Sequence, residues 1–211
     1  MTKSKSLRIG IFGGTFDPPH SAHIHLVQNA ISEFQLDRVY IVPSKFPPGK
    51  EPVASYEKRL EWAAGIFGGN TNLIVSALEQ SSQTTVFGKE IFNRISLLEP
   101  EGQIHWILGE DQLDKLAYWK DVDSYGFQIT WLVTPRKLGE HSEGILSKRL
   151  LQSSCSYCWT KMSPMLEVAS HTIRESLVQE GAKSPQIQWI PDMIRQDVLE
   201  TYAKHNQSKG R

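Results

Sequence analysis

The sequence predicts a doubly wound α/β fold, a mostly parallel sheet with helices on both faces, on three observations. Short apolar runs recur at Ile9–Phe12, Arg38–Pro43, Asn72–Ala77, Gln103–Leu108 and Gln128–Thr134, separated by segments of helical length and pattern. Strands joined in that way imply crossover connections, hence parallel pairing with both sheet faces covered. The stretches that carry chemistry stand directly after the runs, and in such folds ligands gather beyond the carboxyl ends of the strands, near the switch in strand order. The length of 211 residues suits one domain, 1–211, with a helical carboxyl-terminal part over about residues 165–205 and enough chain to bury a core.

Charge and composition exclude several classes of function. Lys and Arg number 23 and Asp and Glu number 23, so no net charge argues for a nucleic-acid or membrane partner. No apolar run approaches the roughly 20 residues a membrane span requires. The start, MTKSKSLRIG, enters a strand without a long apolar segment or cleavage site, which implies no signal peptide and a cytoplasmic protein.

The stretch RIGIFGGTFDPPHSAHIH, from Arg8 to His25, organises the rest. An apolar strand runs into a Gly13-Gly14 turn, where backbone can approach a ligand closely, and then into a stiff Asp17-Pro18-Pro19 corner. A helix follows whose first turn carries His20 and His23, three apart and so on one face. Unpaired backbone N–H groups and the helix dipole favour an anion there, phosphate above all. Neither a Walker loop nor a dinucleotide fingerprint is present.

The segment from Ser21 to Phe34 carries Ile24, Val27, Ala30 and Ile31, a helical apolar stripe. RVYIVP, Arg38 to Pro43, reads as a buried strand, and PSKFPPGKEP after it is a proline-stiffened loop that sends Lys45 and Lys50 out from the same edge. Tyr56 to Ile66 is an amphipathic helix ending at a glycine cap, so the GIFGG at Gly65–Gly69 is a helix end and not a second phosphate loop. GED, Gly109 to Asp111, ends the QIHWIL strand, with Trp119 eight residues beyond. A carboxylate there could accept from ribose hydroxyls and the indole could stack on a flat ring, though a helix cap and a core tryptophan fit the same letters.

SCSYCWT reads as a strand, in which Cys155 and Cys158 face opposite sides and stay reduced thiols rather than a zinc or redox pair. In VASHTIRESL, Ser170 would cap a helix and Arg174 would add a cation to a second anion site. The tail IPDMIRQDVLETYAKHN reads as a helix opening at Pro191, its Ile194, Val198 and Tyr202 face packing on the sheet or on a second copy of the chain.

GGTFDPPHSAH resembles the signature of the α/β nucleotidylyltransferases, G-[GS]-[TS]-F-D-P-x-H-x-G-H, with Ala22 standing at the family's last glycine. The likeness runs nearly end to end with the bacterial nicotinate-nucleotide adenylyltransferases. IVPSKFPPGK is similar to that family's I-I-P-x-x-x-P-P-H-K, GEDQLDKLAYW to its G-x-D with a following tryptophan, WLVTPRKLG to its strand and R-P-G turn, and VASHTIR to I-S-S-T-x-I-R.

The resemblance implies a Rossmann-like nucleotidylyltransferase fold and transfer of AMP from ATP to nicotinate mononucleotide, with no covalent enzyme intermediate. It implies that His20 and His23 hold ATP phosphates and the charge growing on the α-phosphoryl group, with Lys50, and less directly Lys45, as cationic help. Gly13, Gly14, Thr15, Phe16 and Asp17 would form the stretch between the two substrates. Gly109 and Asp111 would contact ribose, Trp119 the pyridine ring, and Arg136, Ser170 and Arg174 the nucleotides. Thr84 or Thr85 would lie near the nicotinate carboxylate. Mg²⁺ would ride on the ATP phosphates.

The departures are Ala22, Gly49 in place of the family's histidine, and Ala169 and His171 in the last motif. Two other readings use the same residues. One is a related adenylyl- or cytidylyltransferase with another phosphate acceptor, against which chain length, the PPGK loop and the GED-to-Trp119 spacing argue. The other is a non-catalytic adenine-nucleotide-binding homologue, which Ala22 and the altered last motif favour.

Overall fold

In a computed structural model, the structure describes residues 6–116, 118–135, 156–161 and 168–209. Six strands form one parallel sheet: β1 (Arg8–Gly14), β2 (Arg38–Pro43), β3 (Leu73–Val75), β4 (Gln103–Gly109), β5 (Thr130–Thr134) and β6 (Ser156–Trp159). Their order is β3-β2-β1-β4-β5-β6, so the chain builds outward from β1 on one side and from β4 on the other. That reversal between β1 and β4 is the topological switch point of a doubly wound sheet.

The helices are α1 (Ser21–Phe34), α2 (Tyr56–Phe67), α3 (Gly88–Leu98), α4 (Leu113–Leu116), α5 (Val122–Tyr125), α6 (Ser170–Glu180) and α7 (Asp192–Lys209). The expected bounds of β2 and α1 match the structure, whereas β3 is shorter than the Asn72–Ala77 run. No helix among the described residues is long and apolar enough to cross a membrane.

The chain divides into two compact units, each with its own packing. The first comprises Met1–Phe12, Leu26–Tyr40 and Val86–Met165. In it β1 pairs with β4 from Arg8↔Gln103 to Ile11↔Trp106, and β4 with β5 from His105↔Thr130 to Gly109↔Thr134. Ile9, Ile11, Trp131, Leu132 and Val133 are fully buried, as continuous apolar runs in parallel strands must be when both faces are covered. Gly126–Gln128 forms a tight turn closed by the Ile129 N–H on Gly126 O, so β5 starts at Thr130 rather than at Gln128.

The second unit comprises Gly13–His25, Ile41–Thr85 and Leu166–Arg211, and so holds the loops after β1 and β2 together with α2, α6 and α7. Its core packs Ala54, Trp62, Ile173, Leu177, Ile190, Ile194, Val198 and Tyr202. The Ile194, Val198 and Tyr202 face of α7 therefore lies on α2 and α6, not on the sheet or a second copy as expected. Two helices already present the apolar stripes that this face needs, and the amphipathic pattern alone does not name the partner surface.

Ser55 caps α2 by accepting from the Lys58 N–H at 3.2 Å, and Gly68 ends it through its N–H to Ala64 O. Cys158 lies on β6, a strand as expected, and is exposed; Cys155 falls outside the described residues.

Candidate active site

β1 runs through Gly14, so the expected Gly13-Gly14 turn is the end of the strand, and the six residues from Thr15 to His20 form the bend ahead of α1. Phe16 adopts a left-handed backbone, φ 53°, and turns its ring into the interior. There it meets the His23 ring edge-on, centroids 5.1 Å apart, and Phe67 at 6.4 Å. A Cβ on Gly14 would lie 3.0 Å from the same phenyl ring, so glycine at that position lets Phe16 sit behind the histidine. Phe16 thus supports the site from within.

The helix opens at Ser21, so His20, expected in its first turn, stands just before it. His20 occupies the capping position before Ser21, and His23 is the third helical residue. The two are reciprocally bonded: the His20 N–H donates to His23 Nδ1 at 3.1 Å, and the His23 N–H donates to His20 O at 2.9 Å. The first contact is the half of a capping box in which the third helical residue reaches back, with an imidazole in place of the usual Glu or Gln, and the second is a backbone turn bond. Because Nδ1 accepts, the ring proton of His23 sits on Nε2. The two rings lie 3.8 Å apart, as their three-residue spacing implies.

Burial sets the charge of this pair. His20 is 4% exposed and its pKa is pushed down to about 4 by loss of water. Burial, then the neighbouring His20 and Lys50, hold His23 well below the usual histidine value. Both rings are therefore neutral at pH 7. Among the described residues, His20 Nδ1 is buried and has no hydrogen-bond partner.

Asp17, 1% exposed, anchors the corner rather than lining it. Its carboxylate accepts from the Val53 N–H at 2.8 Å, the Ala54 N–H at 3.1 Å and the Tyr202 hydroxyl at 2.9 Å. Arg174 donates to Asp17 O and stands 3.6 Å from its carboxylate, while Ser170 Oγ donates to Pro18 O at 3.0 Å. Ser170 does not cap α6 as expected. Ala169 holds the capping position and Ser170 is the first helical residue, which turns its hydroxyl onto the signature loop.

Lys45 and Lys50 leave the loop after β2 differently. The Lys45 ammonium donates to Gln80 O at 2.7 Å and Ser82 O at 2.9 Å, whereas Lys50 is exposed and its charge is felt at His23. Gly49 has φ 65° in a turn closed by the Lys50 N–H to Pro47 O. A Pro-Gly centre suits such a turn because glycine takes positive φ without a Cβ clash.

The remaining candidates are placed singly. Gly13 is exposed and Thr15 half-buried; Thr84 is exposed and Thr85 half-buried in the loop before α3. In the first unit, Gly109 ends β4, and the half-buried Asp111 accepts from the Gln112 amide. Trp119 is half-buried and meets Trp106 and Trp131 edge-on, at 5.2 and 6.0 Å. Arg136 lies outside the described residues.

Sequence reasoning missed Arg59 and Glu79, both 1% exposed. Arg59 had a signal: it falls on the buried stripe of α2 with Tyr56, Trp62, Ala63 and Phe67, where a charge is out of place. Glu79 had none, being one acid in a polar loop.

The cytidylyltransferase-like family model matches residues 11–176. A Thermotoga sp. protein named "Probable nicotinate-nucleotide adenylyltransferase" is 32% identical over 199 residues, 90% of this chain and 94% of its own length. An Exiguobacterium sibiricum protein of the same name is 30% identical over 196 residues, 92% of this chain and 97% of its own. Among solved structures, Plasmodium falciparum nicotinic acid mononucleotide adenylyltransferase complexed with NaAD matches with a TM-score of 0.75 at 17% identity, covering 95% of this chain and 98% of that one. At that identity the likeness is one of fold.

Proposed function

The chain belongs to the nicotinate-nucleotide adenylyltransferases of the cytidylyltransferase-like family, and we propose that it transfers AMP from ATP to nicotinate mononucleotide. An oxygen of the mononucleotide 5′-phosphate attacks the α-phosphorus of ATP, the bond to the α,β-bridging oxygen breaks, and pyrophosphate leaves with the deamido dinucleotide as product. Such chemistry asks the protein for positioning and charge stabilisation rather than for a nucleophile.

The observation that carries the reading is the His20–His23 pair at the start of α1, with a buried His20 nitrogen that lacks a protein partner. A neutral imidazole can donate a ring N–H to a phosphate oxygen, and a helix N-terminus adds its own donors. Negative charge on the triphosphate then favours protonation of the rings, opposing the downward push of burial. Gly13, Gly14 and Thr15 cradle phosphate between the substrates, and exposed Lys50 supplies a cation. Lys45, spent on two carbonyls, acts through its loop.

Arg174 and Ser170 act on ATP through the Asp17–Pro18 corner they hold, as well as through any direct contact. Gly109 and Asp111 take ribose, Trp119 stacks on the pyridine ring, and Thr84 or Thr85 meets the nicotinate carboxylate. Mg²⁺ enters with the nucleotide as Mg-ATP: among the described residues no group of three or more His, Cys, Asp or Glu could hold a metal ion. The enzyme works in the cytoplasm on small molecules, in keeping with its balanced charge.

The test is pyrophosphate release by the purified protein with Mg-ATP, offered nicotinate mononucleotide or nicotinamide mononucleotide separately, with the product identified by mass. Preference for the acid is expected. Equal use of both overturns the acid specificity, and no product from either overturns the reaction.

A further inference from the structure

We propose that Arg59 and Glu79 are positioning residues of the adenylyl-transfer site, forming a buried clasp that sets the Ser44–Lys45 peptide against the Thr15 turn of the signature. The proposal deepens the adenylyltransferase reading and rests on it. Arg59 Nη1 donates to Thr15 O at 2.7 Å and to Ser44 O at 2.6 Å, Nη2 to Lys45 O at 3.3 Å, and Nε to Ala54 O at 3.1 Å. From the other side, Glu79 Oε2 accepts from the Lys45 N–H at 2.8 Å and from Ser44 Oγ at 3.2 Å. The Ser44–Lys45 peptide is thus held by its carbonyl through Arg59 and by its N–H through Glu79, and Arg59 also takes the carbonyl of the peptide that follows. The Ser44 N–H closes the arrangement on Gly14 O at 2.9 Å.

Filling space on the buried stripe of α2 does not require this chemistry. A buried charge is costly unless saturated with hydrogen bonds, and an apolar side chain of similar volume would serve the packing alone. A guanidinium offers five donors in a rigid planar fork, so it can span carbonyls from three separate segments at once. Those segments are the turn after β1, the loop after β2 and the entry to α2. The first carries the phosphate cradle, and the second carries Lys45 and Lys50. Arg59 therefore sets the offset between cradle and cations, and an offset wrong by about 1 Å is enough to cost about 10²-fold in rate. Lysine, a point charge on a single nitrogen, cannot reproduce the fork.

The full chain is compared with Arg59→Lys and Glu79→Gln by backbone amide exchange, and by kcat and KM for ATP and nicotinate mononucleotide per folded molecule. For Arg59→Lys, exchange at Ser44 and Lys45 should rise at least about tenfold while Thr130–Thr134 of β5 is unchanged. Its kcat should fall at least about tenfold with KM for ATP moving less than about threefold. Glu79→Gln should move the same quantities less far, and it carries the test by the same criteria if Arg59→Lys does not fold. Unchanged exchange at Ser44 and Lys45, a rise spread equally over β5, or unchanged kcat per folded molecule overturns the clasp. If the unaltered protein releases no pyrophosphate, the reaction reading fails by itself, and local exchange alone decides whether the clasp stands.

Discussion

The Tyr202 hydroxyl donates to Asp17 Oδ1 at 2.9 Å, joining residues 185 positions apart. A carboxylate beside a phosphate site would repel its ligand if it faced it. Here it is buried and saturated by Val53, Ala54 and Tyr202, and it works as the pin on which the Asp17–Pro19 corner turns. The carboxyl-terminal helix thereby reaches the signature through one side chain. Burial, with Asp17 adding to it, pushes the Tyr202 hydroxyl pKa upward, so it stays a donor throughout the physiological range.

Tyr202→Phe keeps the ring in the core against Trp62 and removes only that donor. A hydrogen bond to a buried charge contributes about 1.5–3 kcal/mol, so urea denaturation should register a loss of that order. A change below about 0.5 kcal/mol would mean that the two backbone N–H groups and the nearby Arg174 satisfy Asp17 without the hydroxyl.

His20→Ala should lower turnover by at least about 10²-fold, the scale of losing one transition-state donor. The fold should persist, because the bond from the residue-20 N–H to His23 Nδ1 belongs to the backbone and survives. Turnover within threefold of the parent would remove His20 from the chemistry.

Acid should weaken the ligand-free protein through the same histidine. Its pKa falls from 6.5 to about 4 on folding, so the unfolded chain binds the proton more readily. The associated stability is present above pH 6.5 and is lost as pH falls through about 4, amounting to about 3 kcal/mol over the window. His23 shifts in the same direction. Urea midpoints between pH 7.5 and 4.5 should drop more steeply for the parent than for His20→Asn; parallel curves would contradict the burial argument.

Gly49→His restores the letter found in the related motif but not its setting. At φ 65° a Cβ costs about 1–2 kcal/mol, although among the described residues no atom lies within 4 Å to clash. Thermal unfolding should show that loss with no gain in turnover. A faster enzyme would mean that the turn gives way and that the histidine reaches a phosphate.

Much of the site could be read in the chain because its signals are local. Three-residue spacing on a helix puts His20 and His23 together, and a Pro-Gly pair makes the turn at Gly49, wherever the rest of the protein goes. Ser170 shows the limit. Its residue type favours a cap, but α6 begins so that Ala169 takes that position and the hydroxyl is drawn to Pro18 O. Trp119 is similar: its spacing from Asp111 suggests a ligand platform, and three indoles in contact tie much of its surface to core packing.

Periodicity and turn chemistry, which act over a few residues, determined the parallel sheet, the bounds of α1 and β2, and the pairing of His20 with His23 at the start of α1. The partners of buried charge were decided only by the fold. Asp17 with Tyr202, Arg59 with Thr15 and Ser44, and the α7 face on α2 and α6 join segments far apart in the chain. A buried ionic or apolar group must find a partner to offset the loss of water, but its own sequence neighbourhood does not say which. The choice follows from which segments the sheet order and the crossovers bring within about 3 Å of one another.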